Sequence, residues 1–163
     1  SIITVAIIGT LSTIAIPQYF SQLQKTHQSE AASQLSILQT SIATYNDEFG
    51  FYPTSWNQAS EISAVMTAEG VINSEVEDGE DPIELSESIK MLNRKYALKR
   101  LAGESGSTFT LIATPTMEDG TLDEKGAEFN VMACMDLETG ASDLRLGRRG
   151  EIKNAVKTTD LRC

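Results

Sequence analysis

The sequence predicts an α+β fold, a long kinked N-terminal helix packed against a C-terminal antiparallel sheet, on three observations. Residues 1–17 are uncharged and largely apolar, residues 20–49 carry helical amphipathic spacing, and two runs after Thr108 alternate like strands. The chain of 163 residues divides accordingly into an apolar helix (1–19), its amphipathic continuation (20–49) and a globular head (50–163). A net charge of −10 makes general attraction to phosphate backbones unfavourable.

The opening run, Ser1 to Pro17, has to be hidden from water. A membrane span needs roughly 20 mainly apolar residues, whereas 10 to 14 more often make a core helix or signal-peptide core. A secretory signal wants a charged start, and Ser1 leads into Ile2 with no Lys or Arg nearby. A core helix needs protein on all sides, and the residues that follow suffice for one ordinary domain. Thr4, Thr10, Ser12 and Thr13 are polar but uncharged, and their hydroxyls can bond carbonyls one turn back, in lipid or between packed helices. Gly9 and Pro17 are helix breakers, costing about 1 and about 3 kcal/mol against Ala. They mark either a close contact and a kink or a place where the helix melts.

Ala6-Ile7-Ile8-Gly9 followed by Ile14-Ala15-Ile16-Pro17-Gln18-Tyr19 resembles the N-terminal helix of bacterial type IV pilins and their pseudopilin relatives of type II secretion. The resemblance covers about twenty residues and implies a pilin fold. It implies that the subunit waits in the inner membrane with a periplasmic head, then packs with copies of itself in the core of an extracellular helical filament. In that family a peptidase cuts after a Gly, the new N-terminal residue is methylated, and a Glu four residues further in guides assembly. Alignment with that pattern implies about five residues before Ser1, so none of these roles falls on a residue of this sequence. Gly9 to Pro17 matches the stretch that melts in such filaments. Ile3, Ile7, Ile8, Leu11, Ile14 and Ile16 are the implied helix–helix packing residues.

Downstream, Ala31, Leu35, Leu38, Ile42, Tyr45 and Phe49 recur at alternating fours and threes, so they share one helix face and are expected to pack on the head. Gln24, Lys25, Gln28, Glu30, Gln34 and Gln39 are left for solvent or neighbours. Gly50 is placed to end the helix, and Phe51-Tyr52-Pro53 continues as loop. A second helix is expected near Gln58 to Glu69, with Ile62, Val65 and Met66 inward. Seven acids between Glu75 and Glu87 read as a solvated loop rather than a calcium loop, because the alternating acid spacing is missing. Pro82 to Leu101 is expected to be helical, with Arg94, Lys95, Lys99 and Arg100 serving salt bridges between subunits rather than DNA.

Thr108 to Thr114, Glu128 to Met135 and Ser142 to Leu146 are the expected strands, with a turn at Asp136 to Gly140. Strand, Cys, turn, strand and late Cys again resemble pilin heads. In an exported head Cys134 and Cys163 can pair in an oxidising space, and the bridge would hold a C-terminal surface containing Arg145, Arg148, Arg149 and Lys153.

No catalytic, cofactor or metal residue is assigned. His27 is the sole histidine and lies on the polar side of the helix, and Trp56 and the tyrosines have packing as their ordinary role. The reading is a polymerising structural subunit, with assembly machinery and minor pilins as further partners. Attachment, twitching motility and DNA uptake stand as the implied uses. A minor pilin, a pseudopilin and a tethered periplasmic binding domain are the alternatives.

Overall fold

One helix, α1 (Ile2–Phe49), takes up 48 residues and, at 1.5 Å per residue, about 72 Å of length. The computed structural model describes residues 2–101, 107–117, 119–123, 126–148 and 155–163, with side chains from Tyr19 onward. The helix runs continuously through Gly9 and Pro17. It stops where the sequence supplies a residue able to turn left-handed: Gly50 has φ 77° and its N–H bonds the Asn46 carbonyl at 2.8 Å.

The expected stripe is the buried face of that helix. Ala31, Leu35 and Ile42 are fully buried, and Leu38 and Tyr45 nearly so. Phe49 departs from the expectation at 42% exposed. It occupies the last residue of the helix, where its ring lies on Tyr45 (centroids 4.4 Å apart) and near Phe51 instead of entering the head.

Among the described residues the sheet has five strands: β3 (Ile89–Lys90), β4 (Tyr96–Arg100), β5 (Thr108–Pro115), β6 (Val131–Asp136) and β7 (Ser142–Leu146). They lie in chain order and every neighbouring pair is antiparallel. Strand register lines up Leu98 with Ala113, Ala113 with Val131, Leu111 with Ala133, and Ala133 with Leu144. These residues face α1 in one apolar cluster, as side chains two apart on a strand must. The β6–β7 turn closes as expected, with Gly140 at φ 73° and its N–H on the Asp136 carbonyl at 2.8 Å.

Two expectations are corrected. The second helix, α2 (Trp56–Ile62), is shorter and earlier than Gln58 to Glu69, because Ser55 caps it by accepting from the Gln58 N–H. Beyond it β1 (Met66–Thr67) and β2 (Gly70–Val71) form a hairpin, leaving Val65 buried and Met66 44% exposed. Pro82 to Leu101 is not a helix. Its start is bonded to the loop before α2, with Trp56 N–H on the Ile83 carbonyl and Leu85 N–H on the Thr54 carbonyl. The rest turns at Arg94, which takes φ 55°, and returns as β4. Ile83, Leu85, Ile89 and Met91 share odd numbers, and Tyr96 and Leu98 are two apart, so a period-two signal is present, masked by the basic residues among them.

Candidate functional site: the helix surface and the bridged C-terminal face

α1 changes character along its length. From Gln28 to Tyr45 it is embedded in the head, whereas Tyr19 and Phe20 are 65% and 60% exposed and Leu23 is also exposed. Tyr19 and Phe20 touch only edge to face, their centroids 6.1 Å apart. These rings are apolar area that the described residues leave uncovered. The packing residues expected further up, Ile3, Ile7, Ile8, Leu11, Ile14 and Ile16, lie outside the described side chains. So do any side-chain contacts at Gly9 and Pro17. Among the described residues no helix is long and apolar enough to cross a membrane.

Two glutamines expected to face outward are instead what fastens the helix to the sheet. Gln28 is buried, and its Nε2 donates to the carbonyls of Gly147 (2.8 Å), Phe129 (3.2 Å) and Asn130 (3.4 Å). Gln39 Nε2 donates to the Cys134 carbonyl at 2.7 Å and the Asp143 carbonyl at 3.3 Å. Buried carbonyls without donors are expensive, so these amides hold β6 and β7 under α1. The signal was available: Gln28 continues the alternating spacing that runs through Ala31, Leu35, Leu38 and Ile42.

On β6, Ala133 and Met135 face the helix, so Cys134 between them points to the opposite face of the sheet. There it forms the disulfide with Cys163, across a Cα–Cα distance of 6.1 Å and a sequence separation of 29. The covalent tie is joined by polar ones. Asn130 exchanges two 2.8 Å hydrogen bonds with the backbone of Val156, and the Arg162 N–H donates to Asp143 Oδ2 at 3.1 Å. Arg145 Nε also donates to Asp143 Oδ2, at 2.9 Å. That hydrogen bond from Arg145, followed by the one from the Arg162 backbone, holds the Asp143 carboxyl below the usual aspartate value. Of the four basic residues expected on this surface, Arg145 and Arg148 line a groove beside β7, while Arg149 and Lys153 lie outside the described residues.

The remaining candidates are structural. His27 Nδ1 stands 3.4 Å from Glu30 Oε2 on the helix surface, and Asn93 donates to the same oxygen at 2.9 Å. The Asn93 hydrogen bond first, with His27 adding to it, lowers the Glu30 carboxyl. Trp56 is fully buried with Nε1 on the Glu87 carbonyl at 3.1 Å, which leaves no face for a cofactor ring. Tyr96 is buried with its hydroxyl on the Phe129 carbonyl at 2.8 Å, and burial raises its pKa. The expected basic cluster is divided by strand geometry. Lys99 is exposed, while the Arg100 guanidinium lies 4.5 Å from the centre of the Phe109 ring. The acids between Glu75 and Glu87 lie in exposed irregular chain, and among the described residues no group of three His, Cys, Asp or Glu is placed to hold a metal ion.

A helix of this length laid on a five-stranded antiparallel sheet defines the class of the molecule: an α+β fold of the pilin arrangement. Comparison of the chain with protein-family models, with curated proteins and with solved structures finds no significant match.

Proposed function

We propose that this chain is a structural subunit that polymerises through α1 into a bacterial surface filament of the type IV pilus kind. The observation that carries the reading is the unequal burial of one helix. Its C-terminal part is enclosed by the head, and Tyr19, Phe20 and Leu23 remain exposed directly below the apolar run. Copies that bundle these helices bury together what one copy leaves in solvent, and before assembly a bilayer serves the same end. Gly9 and Pro17 are the positions where such a helix gives way most cheaply on passing from one environment to the other. The bridge from Cys134 to Cys163 fits an exported head in an oxidising space. By resemblance it also favours a pilin over a major pseudopilin, which often carries a calcium-bound loop in that place.

The test places a charge in the apolar run. Ile7→Asp or Ile14→Asp is expected to leave the head folded, with an unchanged thermal midpoint, and to abolish filaments in sheared cell-surface material. Normal filaments from either variant would sink the proposal.

A further inference from the structure

We propose that the groove beside β7 is a docking site for the acidic loop of a second copy of this chain, an inference that rests on the polymerising reading above. The groove encloses about 1430 Å³ between α1, the edge strand β7 and the bridged C-terminal segment. That exceeds the roughly 300–1,000 Å³ usual for small-molecule sites and suits a stretch of polypeptide. Lys25, Arg148 and Arg162 line it, are exposed, and make no ion pair with a described carboxylate. Among the described residues its acids are engaged in its own wall. Asp143 accepts from Arg145 and from the Arg162 backbone, and Asp160 accepts from the Lys157 N–H at 2.9 Å. The groove is thus a cationic strip on a chain whose net charge is −10.

Its complement stands at the other edge of the sheet. Residues 75–87 carry seven carboxylates and no Lys or Arg, all seven exposed, and lead directly into the edge strand β3. Strands lie about 4.8 Å apart, so four strand intervals separate β3 from β7 by about 19 Å. The Debye length at physiological salt is about 8 Å, so the two surfaces of one chain are screened from each other. Only another copy can bring them together. Because the two surfaces differ and lie at opposite edges, the contact is head to tail and leaves a free surface of each kind at the ends of any row. Such a contact propagates rather than closing as a two-fold dimer.

A zero-length carbodiimide cross-link between Lys25 and Glu77 or Glu80, mapped by mass spectrometry on an equal mixture of isotopically light and heavy full-length chains under assembly conditions, reads the contact directly. Mixed light–heavy cross-links are expected, falling at least about fivefold between 0.05 and 0.5 M NaCl. K25E/R148E and E77K/E80K are each expected to lose them together with filaments, and a chain carrying all four changes to recover filaments. Wild-type filaments that persist unchanged in both double variants overturn the docking and leave the polymerising reading standing. Failure of the wild-type chain to assemble at all overturns both. Duplex DNA retained at 0.15 M salt by the wild type and not by K25E/R148E, with no mixed cross-link, overturns the docking in favour of a nucleic acid.

Discussion

The two ends of α1 carry similar side chains into opposite circumstances. Leu35 and Ile42 are fully buried, whereas Tyr19 and Phe20, on the same helix and equally apolar in their rings, are mostly exposed. Helix propensity does not distinguish them. What differs is that β5, β6 and β7 pack beneath one part, whereas among the described residues Tyr19 and Phe20 are left exposed. The lesson is that one element carries two environments, packing the head along its C-terminal part and leaving apolar rings exposed nearer its N-terminus.

The contrast can be broken most forcefully at Leu35. Leu35→Ala removes a fully buried side chain and is expected to cost about 2–5 kcal/mol, while Phe20→Ala changes head stability by less than about 0.5 kcal/mol but weakens assembly. Urea titration of both variants checks the first half and filament yield the second; equal stability losses would contradict the division of labour. Next in size is the bridge. Cys134→Ser with Cys163→Ser is expected to lower stability by about 3–4 kcal/mol on the chain-entropy account, since the tie spans 29 positions. Limited proteolysis should then begin in the released C-terminal segment.

Gln28→Ala comes third. It leaves the Gly147 carbonyl without its Gln28 donor, at an expected cost of about 1–3 kcal/mol, while the Phe129 carbonyl keeps the Tyr96 hydroxyl and the Asn130 carbonyl keeps the Gly147 N–H. Faster amide exchange in β7 than in β4 would show that the loss is local to this edge. The smallest effect is acid sensitivity. Asp143 has a folded-state pKa below its usual value, so its contribution is present above the unfolded value near pH ~3.9 and is lost as pH falls through the folded one. Asp143→Asn should flatten the pH dependence of unfolding free energy over that acid range, read by urea titration at each pH, by well under about 1 kcal/mol, because the pair is partly solvated.

Much of this architecture is legible in local pattern. The alternating fours and threes from Ala31 to Tyr45, Gly50 as the stop, and the β-branched runs of β5 and β6 each depend on neighbours a few residues away. β3 and β4 are obscured because their residues carry a helix-compatible mixture of apolar and basic side chains, and only the pairing of β3 with β4 and of β4 with β5 decides between the two periods. Gln28 and Gln39 read as outward-facing because an amide is polar in any list of residue types. Whether it faces water or satisfies a buried carbonyl depends on chain about a hundred residues away.

The sequence by itself determined the long helix, its stripe, the antiparallel character of the head and the identity of the two cysteines. The tertiary structure alone decided that Cys134 faces away from the helix, that the C-terminal segment is pinned to Asn130 and Asp143, and that acidic and basic surfaces lie at opposite edges of one sheet. The physical reason is range: helix and strand periods are set by adjacent turns and pleats, while charge placement and polar satisfaction depend on which distant segments the packed core brings together.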